Sequence, residues 1–147
     1  MSQVGHTTAL LQTRPRLLLV DDDTRELRLS AYIIKLGGYS VVTATEPNTA
    51  ITLAKRQRPD LVVVDYEMPV MNGCMLADRL KIIMPRLHTI LYSGAIDIPD
   101  SDILKVSEYI SKSDGLDVLL RSVDRLLRPS DESGEATPRY TSSGIYG

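Results

Sequence analysis

The sequence lacks several features that would place it in familiar classes of protein. Its 147 residues include no phenylalanine and no tryptophan, so the core must be aliphatic, and its single cysteine excludes an intramolecular disulfide and fits a reducing compartment. No apolar run approaches the roughly 20 residues of a membrane-spanning helix, and the amino terminus lacks the pattern of a signal peptide. A formal net charge of −2 argues against a protein built to neutralise nucleic-acid phosphates. A cytoplasmic protein without membrane contact is expected.

Five short apolar runs alternate along the chain with segments of helical periodicity. The first, third and fourth runs are continuous, as expected for strands that are covered on both faces. A strand–helix alternation of this kind predicts an α/β fold with a doubly wound, five-stranded parallel sheet and right-handed crossovers. The runs span residues 17–20, 40–43, 61–64, 89–92 and 109–111.

Capping and stop residues mark the ends of the predicted helices. Asp23 and Glu26 are typical of a capping box, and the helix that they open is expected to end at a Gly-Gly pair. Pro85 and Pro129 are expected to end the third and fifth helices. The fourth helix is the weakest of the set, because the segment 99–106 offers about two turns at most before the fifth strand.

One domain is predicted, over residues 16–128. Residues 1–15 are expected to form a flexible leader, and residues 129–147, which are polar and rich in Ser, Gly and Thr, a disordered tail. Those last residues are too few for a winged helix, so direct DNA binding is not expected. The output of the protein is therefore expected to be a contact with another protein.

Polar side chains follow four of the predicted strands. Asp21 and Asp22 follow the first strand, Asp65 the third, Ser93 the fourth and Lys112 the fifth. Ligands of an open parallel sheet bind beyond the carboxyl ends of its strands, so these side chains are expected to share one crevice. Clustered carboxylates raise each other's pKa unless a cation lies among them, and oxygen ligands without His or Cys favour Mg²⁺.

Asp65 is the best-placed nucleophile of this set, since it ends the central strand. A carboxylate beside Mg²⁺ can attack a phosphoryl group and form an acyl phosphate. The metal, a lysine and a hydroxyl can neutralise the oxygens of the transferred group. The sequence has no glycine-rich phosphate loop, which counts against a nucleotide site.

Four stretches of the chain, LLLVDDD, LVVVDYEMPVMNG, ILYSGA and YISKS, follow one another at plausible spacing. Each is weak alone, but together they resemble the receiver domain of two-component response regulators, from about residue 16 to residue 128. The resemblance implies a (βα)5 fold with flavodoxin-like strand order. It also implies a stand-alone signalling protein, not an enzyme, in which Asp65 accepts a phosphoryl group from a sensor histidine kinase or a histidine phosphotransfer protein of a phosphorelay.

The same resemblance assigns a Mg²⁺ site to four residues. Asp21 and Asp22 would form the acidic pair, with Asp22 as the direct metal ligand. Asp65 would add its own carboxylate, and the backbone carbonyl of Glu67 would complete the ligands from the protein. Asp23, the third acidic residue of the triplet, is expected to serve only as a helix cap.

The resemblance also assigns the switch between inactive and active states. Ser93 would be the switch hydroxyl, Lys112 the cation that pairs with the phosphate, and Tyr109 the aromatic side chain that rotates inward on activation. Two departures from the family pattern bear on this assignment. Ser113 stands where the family usually has a proline after the lysine, and the stretch 94–108 is short, which leaves little room for the fourth helix.

Other interpretations of these residues stay open from sequence alone. The acidic triplet 21–23 can be a solvated loop, and Tyr109 can be a half-buried strand tyrosine. A Mg²⁺-dependent phosphatase with an aspartyl nucleophile is a second function, although Glu67 stands where the haloacid-dehalogenase type usually has Asp. A phosphorylation-independent interaction module is a third. A homodimer formed through the fourth and fifth helices stays open as well, although no sequence feature supports it.

Overall fold

The computed structural model of the protein describes residues 14–128. Five parallel strands form one sheet in the order β2-β1-β3-β4-β5, the flavodoxin-like order that was expected. The strands are β1 (Arg16–Val20), β2 (Ser40–Ala44), β3 (Leu61–Val64), β4 (His88–Ser93) and β5 (Glu108–Ser111). The helices are α1 (Thr24–Leu36), α2 (Pro47–Gln57), α3 (Gly73–Ile83), α4 (Asp100–Ile103) and α5 (Leu116–Leu127). The predicted tail, and the predicted leader up to residue 13, lie outside the described residues.

Helices cover both faces of the sheet, which explains why the central strands are apolar along their whole length. Alternate residues of a strand point to opposite faces. Leu18 and Val20 of β1 therefore pack with residues of α2 and α3, while Leu17 and Leu19 pack with residues of α1 and α5. Every residue of β3 is buried. The doubly wound architecture predicted from the strand–helix alternation is confirmed.

The predicted aliphatic core also contains tyrosine. Tyr39 and Tyr92 are 5% and 6% exposed and belong to the core layer between the sheet and the helices α1 and α5. The hydroxyl of Tyr39 donates to the Asp124 carboxylate on α5, so its polar end has a partner although the ring is buried. Phenylalanine and tryptophan are absent from the sequence, and tyrosine supplies the aromatic volume instead.

The capping box predicted for α1 forms only in part. The Asp23 carboxylate accepts hydrogen bonds from the backbone N–H groups of Arg25 and Glu26, at 3.0 and 3.2 Å, as an N-cap residue should. The second half of the predicted capping box, a hydrogen bond from the Asp23 N–H to the Glu26 carboxylate, is wrong. The Asp23 N–H donates to Oδ1 of Asp21 instead, at 2.9 Å. The Glu26 carboxylate is thus available for a different contact.

The fourth helix is shorter than the sequence predicts. α4 is one four-residue turn between the caps Pro99 and Leu104, and none of its residues is buried. The preceding helix, α3, ends at Ile83 with Met84 as its C-cap, before Pro85 as predicted. Within residues 14–128, no helix combines the length and the apolar character that crossing a membrane requires.

Candidate functional site

The strand order brings the acidic residues of β1 and β3 together. Val20 and Val64 are register partners in neighbouring parallel strands, so the residues that follow them leave the sheet side by side. The N–H of Asp65 donates to the carbonyl of Val20 at 3.0 Å, which continues the ladder by one step. Carboxylate oxygens of Asp21, Asp22 and Asp65 lie within 4.8 Å of one another. The structure thus gathers the three carboxylates that the sequence places at separate strand ends.

The Asp65 side chain is only 13% exposed and lies among groups of both charges. Burial raises the pKa of this carboxyl above its ordinary value; the neighbouring Ser93 hydroxyl lowers it, the Asp21 charge raises it, and Lys112 lowers it. The N–H of Tyr66 donates to Oδ1 of Asp65 at 2.9 Å and also favours the ionised form. Ionising Asp65 therefore costs free energy here, and a cation among the three carboxylates would remove that cost.

Lys112 reaches into the acidic cluster from the end of β5. Its Nζ lies 2.8 Å from Oδ2 of Asp21 and 3.9 Å from Oδ1 of Asp65. Burial lowers the pKa of Lys112, but the hydrogen bond to Asp21 and the neighbouring carboxylates outweigh burial and raise it. The described chain contains no cis peptide bond, so the bond to Ser113 is trans. The lysine meets the acidic cluster without the proline that usually follows it in the family.

Ser93 ends β4 and is buried, with 1% of its surface exposed. It lies opposite Ser111 in the register of β4 and β5, so Lys112 leaves the sheet one residue beyond it. The Ser93 hydroxyl accepts the N–H of Ala95 at 3.1 Å, which ties it to the loop that leads to α4. A buried hydroxyl beside Asp65 is placed to donate to a group carried by that carboxylate.

The loop from Asp65 to α3 makes a close turn around the cluster. Glu67 lies in an open cavity of about 460 Å³ that Asp22 and Asn72 also line. Gly73 packs so tightly that a β-carbon there would lie 2.1 Å from the Asp65 carbonyl oxygen. Its N–H donates to the Tyr66 carbonyl at 3.0 Å. Gly73 therefore serves the close approach of the loop to the start of α3.

Tyr109 is half-buried on β5 and packs against the core layer that contains α2 and α3. It pairs with Leu91 in the strand register, two residues before the end of β4. It is not a member of the acidic cluster. Both interpretations made from the sequence, the strand tyrosine and the switch tyrosine, are compatible with this position.

The donor set fits Mg²⁺. The cluster offers carboxylate oxygens without histidine or cysteine, which suits a hard cation that prefers oxygen. Asp21 is buried, Asp65 is half-buried and Asp22 is exposed, so water can reach one side of the site. Mg²⁺ usually keeps several waters in its coordination shell, and a site open on one side allows this.

Three contacts at the site escaped the sequence interpretation. Oε1 of Glu26 lies 3.5 Å from Nζ of Lys112, and Nζ lies 5.9 Å from the centre of the Tyr92 ring. The Tyr66 hydroxyl donates to Oδ2 of Asp102 on α4 at 2.6 Å. No local pattern signals these contacts, because each joins residues from separate elements.

A second cavity, of about 540 Å³, lies at the opposite end of the sheet. Its lining includes Arg14, Arg58, Arg86 and His88. None of the acidic cluster residues takes part in it, since they lie at the carboxyl ends of the strands and this cavity lies at the amino ends. The chemistry predicted from the sequence belongs to the acidic end alone.

The fold and the site together define a class of protein. A five-stranded parallel sheet of this order, with carboxylates, a hydroxyl and a lysine gathered beyond its carboxyl ends, is a receiver-like α/β domain. Residues 17–124 match the response regulator receiver domain family, and the chain belongs to that family. The resemblance drawn from the four sequence stretches is confirmed.

Known relatives and solved structures agree with this assignment. The chain is 32% identical over 117 residues to the transcriptional regulatory protein GlrR of Escherichia coli K12, which aligns 78% of this chain and 26% of GlrR. It is 31% identical over 115 residues to a protein-glutamate methylesterase/protein-glutamine glutaminase of Anaeromyxobacter dehalogenans, with 67% and 33% covered. Among solved structures, response regulator TrrA of Thermotoga maritima in complex with Mg²⁺-BeF has a TM-score of 0.72 and 27% identity, over 77% of this chain and 99% of TrrA.

The chain thus spans about a quarter to a third of the length of these two curated relatives. The shared part is the receiver domain of two-component systems. Receiver domains are generally signalling modules and not enzymes.

Proposed function

We propose that this receiver is a switch operated by phosphorylation of Asp65. The observation that carries the proposal is the meeting of three carboxylates with Lys112 at one end of the sheet. Such a cluster is costly to assemble, and groups of this kind concentrate at functional sites. The phosphoryl donor would be a sensor histidine kinase or a histidine phosphotransfer protein, as in the two-component systems to which the family belongs.

In the proposed reaction a carboxylate oxygen of Asp65 attacks phosphorus and forms a new P–O bond. The P–N bond to the donor histidine breaks, and its electron pair stays on the imidazole. Lys112 pairs with one phosphoryl oxygen and the Ser93 hydroxyl donates to another. The carboxylates of Asp21, Asp22 and Asp65 and the Glu67 carbonyl would hold Mg²⁺. When bound, Mg²⁺ supplies positive charge to the transferred group.

The phosphorylated state is proposed to signal through the end of the sheet next to α4. A phosphoryl group adds roughly two negative charges and three acceptor oxygens. Ser93 would be drawn toward those oxygens, and the loop that its hydroxyl holds through Ala95 would move with it. Tyr109 on the adjoining strand is the proposed aromatic switch.

The test is covalent modification by a small phosphoryl donor. Acetyl phosphate with Mg²⁺ should add one phosphoryl group to the wild-type protein and none to Asp65→Asn, measured by the mass of the intact protein. Asp60→Asn is the matched control. It removes one negative charge, as Asp65→Asn does, but Asp60 lies before β3, at the other end of the sheet. Equal modification of wild type and Asp65→Asn would refute the assignment.

The short α4 favours a second function, an interaction module that does not depend on phosphorylation. This helix is a single turn without a buried residue, so it offers little surface through which a change at Asp65 could be signalled. Beryllofluoride with Mg²⁺ mimics the phosphorylated state and separates the two functions. A switch predicts that amide chemical shifts change along β4, α4 and β5, whereas a constitutive module predicts that they stay where they were.

The partners are proposed from the family and from the site. The downstream target would be a protein, with no direct DNA contact by this domain and no membrane contact, and the proposed location is the cytoplasm. A homodimer through α4 and α5 is a further proposal, which the oligomeric state in solution would test. Steady hydrolysis of a generic phosphate ester is not expected, because Asp65 would hold its phosphoryl group for transfer or for slow loss to water.

A further inference from the structure

The ammonium group of Lys112 has three carboxylate neighbours at different distances. Asp21 is nearest at 2.8 Å, Glu26 follows at 3.5 Å, and Asp65 is farthest at 3.9 Å. Under the proposed function Lys112 pairs with a phosphoryl group on Asp65, yet Asp65 is the carboxylate from which its ammonium lies farthest. Two carboxylates hold the ammonium on the side of the site that faces α1.

Glu26 reaches this position because of how α1 begins. It is the third helical residue after the cap, where a capping box would turn its carboxylate back to the Asp23 N–H. That N–H is already taken by Asp21 at 2.9 Å. The Glu26 side chain instead extends toward Lys112, with 45% of its surface exposed.

Glu26 differs from Asp21 in its relation to the acidic cluster. Asp21 contacts Lys112 and is also one of the three carboxylates of the acidic cluster, so a cation bound there would compete with Lys112 for it. Glu26 lies outside that cluster, so its carboxylate stays beside Lys112 when a cation occupies the cluster. A phosphoryl group on Asp65 must compete with Glu26 for the same ammonium.

We infer that Glu26 is a positioning residue that holds Lys112 back from the phosphoryl group and thereby limits the rate of Asp65 phosphorylation. The inference rests on the proposed function, because it concerns the same site and the same lysine. A negative charge held 3.5 Å from the ammonium opposes its movement toward Asp65. Removing that charge while keeping the shape of the side chain should release the lysine.

The experiment compares Glu26→Gln with Glu46→Gln. Both changes remove one negative charge, but Glu46 is exposed at the start of α2 and its side chain makes no capping hydrogen bond. With acetyl phosphate at saturating Mg²⁺, Glu26→Gln should be modified about twofold to fivefold faster than wild type, the range for a partly exposed ion pair. Glu46→Gln should be modified at the wild-type rate.

A double-mutant cycle shows whether the effect passes through Lys112. The gain from Glu26→Gln should disappear when it is made together with Lys112→Met. The same gain in that background would mean that Glu26 merely repels the anionic donor, and an unchanged or slower rate in the single variant would equally overturn the inference.

A measurement without any phosphoryl donor covers the case in which Lys112→Met reacts too slowly to follow. The NMR signals of the Lys112 ε-methylene should shift in Glu26→Gln and stay unchanged in Glu46→Gln; no shift in either variant overturns the inference. Failure of the proposed function is recognised separately. If the proposed function fails, wild type is not modified at Asp65. If only the inference about Glu26 fails, wild type is modified and Glu26→Gln reacts no faster.

Discussion

At the scale of single residues, the site depends on how closely the chain can return to Asp65. The loop after β3 comes back at Gly73, whose missing side chain lets the backbone lie against the Asp65 carbonyl. The same glycine donates its N–H to the Tyr66 carbonyl at 3.0 Å. The position of the Asp65 carboxylate is thus coupled to a packing constraint eight positions further along the chain.

Gly73→Ala should destabilise the protein, because its β-carbon would lie 2.1 Å from the Asp65 carbonyl oxygen. Backbone atoms must move to relieve such an overlap, and overpacking of this kind costs about 2–3 kcal/mol in the free energy of unfolding. Gly94→Ala is the matched control, since a β-carbon there meets nothing within 4 Å. Urea unfolding followed by circular dichroism measures both, and equal stability of the two variants would contradict the packing argument.

At the scale of elements, α4 is connected to the Asp65 loop by side chains. The Tyr66 hydroxyl donates to Asp102 at 2.6 Å, and the Lys105 ammonium lies 3.4 Å from Asp102 and 4.0 Å from Asp78 on α3. None of the residues of α4 is buried, so apolar packing contributes little to its stability. A single turn of helix therefore owes its position largely to polar contacts, of which the one from Tyr66 is the shortest.

Tyr66→Phe should loosen α4 without unfolding the domain. A hydrogen bond of this kind contributes about 1 kcal/mol, so amide exchange in residues 100–106 should become several-fold faster. Tyr32→Phe is the control, because Tyr32 is 60% exposed on α1. Hydrogen exchange followed by NMR tests this, and equal protection of α4 in both variants would contradict it.

The contact between Tyr66 and Asp102 has a defined range of pH. The hydrogen bond from Tyr66 lowers the pKa of Asp102 below its ordinary value of 3.8. The contact is therefore fully present above pH 3.8 and is lost as the pH falls through the lowered pKa. On the alkaline side the hydrogen bond to Asp102 raises the pKa of Tyr66 to about 12, so the donor stays protonated up to that pH. Protection of α4 should follow the same limits.

At the scale of the whole molecule, the site lowers the stability of the fold that supports it. Burial raises the pKa of Asp65 above 3.8, so the folded state binds this proton more tightly than the unfolded state. The stability that this proton contributes is present below pH 3.8 and is lost as the pH rises through the raised pKa. At neutral pH the ionised Asp65 is thus a net cost to folding.

Asp65→Asn should therefore unfold at a higher temperature than wild type in metal-free buffer at pH 7. The gain should be on the order of 1 kcal/mol, because the variant removes a charge that is poorly compensated. Mg²⁺ should raise the melting temperature of wild type by mass action and that of the variant much less. Thermal unfolding with and without Mg²⁺ tests both statements, with Asp60→Asn as the control. A wild-type protein that ignores Mg²⁺ would contradict the metal site.

Much of the fold follows from patterns that are local in the sequence. The continuous apolar run of β3, the stop at Pro85 and the Asp23 cap each act within a few residues, so the predicted elements agree with the structure. The length of α4 did not follow, because its single turn depends on contacts with α3 and the Asp65 loop. The capping box failed for a similar reason, since Asp21 competes for the N–H that Glu26 was expected to accept.

Local sequence patterns specify which side chains stand at the strand ends, because strand boundaries and helix caps are set by neighbours along the chain. Which of those side chains contact one another depends on the packing of distant elements. Lys112 and Asp21 are 91 positions apart, and Tyr66 and Asp102 are 36 apart. The contact of Lys112 with Asp21 and the contact of Tyr66 with α4 both depend on how the helices pack on the two faces of the sheet, because that packing sets the distances between these side chains.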